Sequence, residues 1–198
     1  MNQSSWNTRY EQNATVYGTG PNAFFKEFID THKPGSILLP AEGEGRNALY
    51  AAQKGWKVDA FDFSSSARAR ALAAAASNNL HMNYSLLDIA DYRAVKQYDA
   101  VALIFVHLPP AVRRAFHRQV HMSLRPGGFV VLQAFAPEQL EYASGGPTSR
   151  ELLYDAPSIC DDFPFTHILS CGQKEIVLNE GPFHHGSAAV LQMIGQKL

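Results

Sequence analysis

Cysteine is nearly absent from this chain: Cys160 and Cys171 are the whole complement in 198 residues. Two thiols cannot build the disulfide framework of a small secreted domain, and no CxxC pair offers a redox or zinc motif. Two reduced thiols in a cytoplasmic protein are the expectation. An excess of either charge is also missing. Seventeen Lys and Arg face eighteen Asp and Glu, a formal net charge of −1. No basic field is therefore available for nucleic acid or an anionic membrane. Apolar runs stay well short of the roughly 20 residues that span a bilayer. The start, Met1-Asn-Gln-Ser-Ser-Trp6, has neither the basic nor the apolar region of a signal peptide. Repeats and low-complexity tails are lacking too, apart from a short alanine run. What remains is a globular chain, 46% hydrophobic, long enough for one domain with a real core.

The apolar runs have strand length and alternate with helical patterns. Strands are expected over Ser36–Leu39, Lys57–Phe61, Asn83–Leu87, Ala100–Val106 and Phe129–Phe135. Their apolar character is continuous rather than alternating, which fits strands covered on both faces. Helices are expected over Pro21–His32, Gly45–Lys54, Ser65–Asn78 and Pro109–Met122. Such a β-α-β-α series implies an α/β fold with a doubly wound, Rossmann-like, mostly parallel sheet and helices on both faces. Beyond residue 135 the rhythm changes. Gly145-Gly146-Pro147 and Pro157 mark a loop with short helical pieces. Two last strands, Thr166–Leu178 and Ser187–Gly195, are joined too closely for a crossover helix. They should be antiparallel, making seven strands with an antiparallel C-terminal strand.

The most telling stretch is Ser36-Ile-Leu-Leu-Pro-Ala-Glu42-Gly43-Glu-Gly45-Arg46-Asn47-Ala48, followed by Val58-Asp-Ala-Phe-Asp62-Phe63-Ser64. Gly43 and Gly45 carry no Cβ, so the backbone can turn tightly there and approach a ligand. The helix that opens at Glu44 or Gly45 aims free N–H groups into the crevice. Asp62 lies about 20 residues past the first glycine, where nucleotide-binding folds place the acid that grips ribose hydroxyls. A helix N-cap is its competing role, shared with the hydroxyls of Ser64–Ser66. An adenosine-type cofactor is the expectation. G-x-G-x-x-A alone also fits an NAD(P) oxidoreductase, but the terminal antiparallel pair is foreign to the usual dinucleotide sheet.

Several segments, in order, carry a family resemblance: Trp6-Asn-Thr-Arg9-Tyr10, Tyr17-Gly18-Thr-Gly-Pro21-Asn22, Ala41 to Ala48, Asp62-Phe63-Ser64, Leu124-Arg-Pro-Gly-Gly128, and Glu180-Gly-Pro-Phe-His184 with Ala188-Ala189. Through them the chain resembles class I S-adenosylmethionine-dependent methyltransferases over nearly its whole length. Within these it is similar to a bacterial group related to tellurite-resistance and thiopurine methyltransferases. The resemblance implies S-adenosylmethionine as cofactor and a small-molecule methyl acceptor such as a thiol or a chalcogen oxyanion. It implies a single domain: a helical lid over 1–33, a cofactor-binding core over 34–135, and a substrate-side loop and hairpin over 136–198. The lid would hold Trp6, Arg9, Tyr10 and Tyr17 over the cofactor, with Arg9 or a tyrosine hydroxyl near its carboxylate. Packing of these rings against the body is the plainer alternative. Arg46 and Asn47 would contact the cofactor or its loop. The family's usual acid at the end of the first strand is Leu39 here, and Glu42 is the nearest carboxylate.

In such folds ligands lie beyond the carboxyl ends of the strands. Asp88 and Ile89, just past the third strand, are then placed to read and cover adenine, unless Asp88 caps a following helix. Phe105, Val106 and His107 follow the fourth strand. His107 is suited to orient an acceptor or take its proton, or it is a satisfied structural histidine. The topology alone brings the connection Asn179–Gly186 to the same end, so Glu180, His184 and His185 belong near the reaction. His184 joins His107 as a catalytic candidate. No third ligand accompanies the adjacent histidines, and no metal is expected. A non-catalytic cofactor-binding protein is the remaining alternative, and the expected assembly is a monomer or homodimer.

Overall fold

The computed structural model describes residues 3–12 and 15–198, without the side chains of residues 3–5 and 9. The expected role of Arg9 at the cofactor's carboxylate lies outside the described residues. Two helices come first, α1 (Gln3–Gln12) and α2 (Ala23–Thr31). The alternation then runs β1 (Ser36–Pro40), α3 (Arg46–Gln53), β2 (Lys57–Asp62), α4 (Ser65–Ser77) and β3 (Asn83–Leu86). It continues with β4 (Tyr98–Ile104), α5 (Pro110–Met122), β5 (Leu124–Phe135), α6 (Ala156–Asp162), β6 (Thr166–Asn179) and β7 (His185–Lys197).

The seven strands form one sheet in the order β3-β2-β1-β4-β5-β7-β6. Pairs among β1 to β5 are parallel, whereas β7 runs antiparallel to both β5 and β6. The fold class expected from the sequence is the one observed. Because β1 and β4 are neighbours, the chain order reverses between them, and a crevice opens beyond their carboxyl ends.

The sheet separates two apolar layers. Leu38, Val101, Leu103, Val130, Leu132 and Leu191 pack with Phe116, Val120, Ile159 and Phe163 of α5 and α6 and their flanks. Ile37, Leu39, Ala100, Ala102 and Val131 pack on the other face with Phe25, Phe28, Ala48, Ala51 and Ala71 of α2, α3 and α4. Consecutive residues of one strand thus enter different layers, which explains why every residue of β1 is buried. Helix starts follow local chemistry. The Asn22 side chain accepts from Phe25 N–H at 3.0 Å, Ser64 Oγ accepts from Ala67 N–H at 3.1 Å, and Pro110 opens α5 where a missing N–H costs nothing.

Two local expectations are corrected. The fifth strand, expected over Phe129–Phe135, begins at Leu124, and Arg125-Pro-Gly-Gly128 is an irregular part of it, with a register shift between Tyr98 and Ala100 of the partner strand. A helix after Asp88 shrinks to one 3-10 turn, Ile89–Asp91, after which Tyr92 is extended and joins the core. Cys160 and Cys171 are free and half-buried. No helix among the described residues is long and apolar enough to cross a membrane.

Candidate functional site: the crevice at the carboxyl ends of β1, β2 and β4

Tight backbone geometry shapes the loop after β1. Ala41, Gly43 and Gly45 all adopt left-handed φ, at +50°, +60° and +83°. At Gly43 the requirement for glycine is double, because a Cβ there would lie 2.6 Å from the Tyr10 hydroxyl. Asp62, only 5% exposed at the tip of β2, braces this loop. One carboxylate oxygen accepts from Gly43 N–H at 3.0 Å and the other from Ser64 N–H at 2.8 Å. Burial raises its pKa and outweighs these hydrogen bonds, which lower it. Each oxygen of a carboxylate has a second acceptor direction. Asp62 therefore fits a ribose with two adjacent hydroxyls, whereas the space a side chain would take at Gly43 and Gly45 is filled by Tyr10 and Ala71.

Glu42 answers the question raised by Leu39. Leu39 is 1% exposed and belongs to the core. Glu42 turns inward onto the start of α3: Oε1 accepts from Asn47 N–H at 2.7 Å and Ala48 N–H at 2.8 Å. Its second oxygen takes the Asn47 side-chain amide at 3.3 Å. Gly45 at the head of α3 has no side chain for this task, so Glu42 acts as a cap from three residues upstream. Burial pushes its carboxyl up to about 7, against these hydrogen bonds. The Asn47 side-chain oxygen Oδ1 accepts from Asn22 N–H at 2.9 Å. Glu42 and Asn47 are thus committed to protein partners.

Arg46 is committed as well, and it ties three segments together. It donates to Glu180 at 2.8 Å, across 134 residues, and to the Tyr17 carbonyl at 3.1 Å. Asn22 Nδ2 reaches the other oxygen of Glu180 at 2.9 Å. The β6–β7 connection is therefore docked on α3 and on the segment after α1. The backbones touch there: a Cβ on Gly181 would come within 2.5 Å of Gly18 N.

A series of ring contacts runs from α1 to the end of β5. Trp6 stacks on Tyr10 at 5.7 Å and lies 6.3 Å from Tyr17. Tyr17 meets His184 at 4.5 Å, and His184 meets Phe105 at 4.6 Å and Phe135 at 5.3 Å. Phe105 holds a φ of +55°, a strained conformation for an aromatic residue, directly past β4. His107 stacks on Phe135, but both its nitrogens serve the backbone. Nδ1 lies 2.7 Å from Leu152 O, and Nε2 accepts from Phe135 N–H at 3.3 Å. Burial pushes its pKa down to about 4. The imidazole is neutral and its position is structural.

The remaining candidates occupy the rim. Ser64 caps α4 and donates to Asn7 of α1 at 2.6 Å, while Phe63 beside it is half-buried. Asp88 is exposed and caps its 3-10 turn through Ala90 N–H at 2.9 Å, with Ile89 half-buried next to it. Sequence reasoning missed the partners of Glu180 and the ring of Phe135. Phe135 was within reach of the rule that strand ends line the crevice. The Arg46–Glu180 pairing has no sequence signal.

Residues 37–128 match the model of a methyltransferase domain family. No curated protein sequence matches the chain. Among solved structures it superposes on TehB from Haemophilus influenzae with a TM-score of 0.75 and 16% identity, over 99% of this chain and 67% of that one. A structure reported for the conversion of a disulfide bond into a thioacetal group during echinomycin biosynthesis gives 0.80 and 17%, over 98% and 91%. The N-methyltransferase NodS from Bradyrhizobium japonicum, solved with S-adenosyl-L-homocysteine, gives 0.74 and 13%, over 98% and 97%. At these identities the likeness is one of fold. The match over residues 37–128 is thus to a methyltransferase domain, and the chain shares the fold of solved S-adenosylmethionine-dependent methyltransferases.

Proposed function

We propose that this protein moves a methyl group from S-adenosylmethionine to a small acceptor, such as a thiol or a chalcogen oxyanion of the tellurite type. The observation that carries this reading is Asp62, buried at the tip of β2 and braced against the left-handed glycine turn. Its carboxylate takes the ribose hydroxyls, and the turn takes the cofactor's chain. Asp88 and Ile89 border the adenine. Trp6, Tyr10 and Tyr17 form the cover, while Phe105, Phe135 and His184 form the acceptor wall.

When bound, S-adenosylmethionine supplies a methyl group on a positively charged sulfur. The chain's part is to hold the acceptor in line with it, an effect worth up to roughly 7–11 kcal/mol in favourable cases. The ring wall keeps water away and gives the acceptor an apolar seat. The docked connection at Glu180 packs against Tyr17 and Gly18 and so closes the crevice together with the cover. Kinship with the tellurite-resistance group is part of this proposal, supported by the likeness to TehB.

The test is thermal shift with S-adenosylhomocysteine against NAD and NADP, followed by calorimetry on Asp62→Ala. A ligand specific to the native state raises its stability. Stabilisation by S-adenosylhomocysteine alone is expected, with at least tenfold weaker binding in Asp62→Ala. Stabilisation by NAD(P) instead, or unchanged affinity in the variant, refutes the reading.

A further inference from the structure

A cleft of about 570 Å³ lies between α3 and α4, bordered by the segment 15–21. That volume is within the range of small-molecule sites. Among the described residues its lining includes neither Asp62 nor any member of the ring series from Trp6 to Phe135, so it is a place apart from the crevice. Leu49 of α3, Ala74 of α4 and Leu80 just after it give the cleft apolar walls, together with the ring of Tyr50. Thr15, Thr19 and Gln53, all exposed, add hydroxyl and amide groups. The charged side chains of the lining are already paired. Arg70 donates to Glu44 Oε1 at 2.8 Å, and Arg46 donates to Glu180 at 2.8 Å. An ionic ligand would bring a charge that these pairs do not balance, or would break a pair and leave one partly buried charge uncompensated. An uncharged ligand meets neither cost.

The segment 15–21 joins this cleft to the crevice. Thr15, Gly18, Thr19 and Pro21 line the cleft, whereas Val16 packs with Tyr10 and Ala67, and Trp6 and Tyr17 lie against them. Two residues of the cleft tether the segment: Glu44 Oε2 accepts from Val16 N–H at 2.8 Å, and Arg46 donates to the Tyr17 carbonyl at 3.1 Å. Thr15 holds a φ of +52°, an outlying value for a β-branched residue. Strain of this kind persists only where the surroundings impose it. Asp62 is 5% exposed beneath the cover, so a ribose reaches it only when the cover moves.

Resting for its effect on the methyl-transfer reading, we propose that the α3–α4 cleft is an effector site for a small uncharged ring compound carrying hydrogen-bonding groups. Its ring lies against Leu49, Ala74 and Leu80, and its polar groups meet the hydroxyls and amide at the edge. Bound there, the compound bridges the segment 15–21 to α3 and α4 and favours the form in which the cover is closed. A ligand that prefers one form shifts the population toward it. The effector therefore raises the affinity for the cofactor, and the cofactor raises the affinity for the effector by the same factor.

The test uses the full chain and three indoles of similar shape: indole-3-acetamide, uncharged; indole-3-acetate, an anion at neutral pH; and tryptamine, a cation. Methyl NMR of the wild type reads the cleft directly. Indole-3-acetamide should shift the methyl signals of Leu49 and Leu80 and bind about tenfold or more tighter than either charged relative. Calorimetry reads the coupling. Saturating indole-3-acetamide should tighten S-adenosylhomocysteine binding about fivefold or more, and S-adenosylhomocysteine should tighten indole-3-acetamide binding equally. Ala74→Phe fills the cleft with a ring and should remove both the binding and the coupling. Leu80→Trp is the second filling variant, for use if Ala74→Phe does not fold. Unmoved signals of Leu49 and Leu80, equal or tighter binding of a charged indole, binding that survives filling, or S-adenosylhomocysteine affinity indifferent to indole-3-acetamide overturns the effector site. A wild type that does not bind S-adenosylhomocysteine overturns the methyl-transfer reading instead, while the methyl signals still decide whether the cleft takes an uncharged ring.

Discussion

Replacing Glu42 by Gln should change how stability depends on pH more than it changes stability itself. The Glu42 carboxyl is raised from 4.5 to about 7 by burial against the start of α3. A group whose folded pKa is raised contributes stability that is fully present below its unfolded value and lost as pH climbs through the folded one. Moving an ionisation by one pH unit is worth roughly 1.4 kcal/mol. Glu42 therefore costs the native state about 3 kcal/mol as pH climbs from about 4.5 to about 7.5. His107 works in the other direction. Its pKa falls from 6.5 to about 4, so its contribution is present above the unfolded value and is lost as pH falls through the folded one. In the wild type the two trends nearly cancel over the acidic range that they share.

Gln keeps an oxygen for the N–H groups of Asn47 and Ala48 and has no charge to bury. It turns an NH₂ group toward the Asn47 amide, a constant penalty of about 1 kcal/mol. Urea unfolding of both proteins at four pH values from about 4.5 to about 7.5 measures the difference, provided m stays unchanged. The stability of Glu42→Gln relative to wild type should rise by about 3 kcal/mol across that range. Parallel curves would refute the reasoning, because they would mean that the carboxylate ionises in the native state as easily as in the unfolded chain.

Two further outcomes follow from close packing. Gly43→Ala places a methyl group 2.6 Å from the Tyr10 hydroxyl at a φ of +60°. It should cost about 1–3 kcal/mol and weaken S-adenosylhomocysteine binding, with part of the loss recovered when Tyr10→Ala is added. Unchanged stability and binding in Gly43→Ala would exclude the contact. Asp162 binds Arg113 and His117, each at 2.8 Å, in the buried seam between α5 and α6. Burial raises its carboxyl, but these two partners hold it below the usual range. Asp162→Asn leaves the Arg113 charge uncompensated and should cost about 3 kcal/mol or more in urea unfolding. A loss under about 0.5 kcal/mol, the size of an ordinary surface substitution, would show that the seam does not depend on the charge.

Much of the architecture was legible because it is written in local terms. Strand-length apolar runs between helical patterns announced the parallel sheet. The short link before β7 announced the reversed strand, since a parallel return needs a crossover. Gly43 and Gly45 announced a turn because few other residues tolerate those dihedrals, and Asp62 stands out by its place at a strand tip. Where local reading failed, weak local preference had been overruled by pairing or packing. The Arg125-Pro-Gly-Gly128 segment joins β5 although its residues favour a turn.

By itself, the sequence determined the sheet, its reversed end and the place of the glycine turn, because periodicity and backbone constraint act over a few residues. Only the tertiary structure decided how the side chains at that turn are employed. Glu42, the nearest substitute for the acid missing at Leu39, caps α3 because Gly45 has no side chain to do so. Arg46 pairs with Glu180, and His184 meets both Glu180 and Phe105, because the fold closes those distances and buries the charges. Burial and partners change the chemistry of these groups. Both are properties of the assembled crevice.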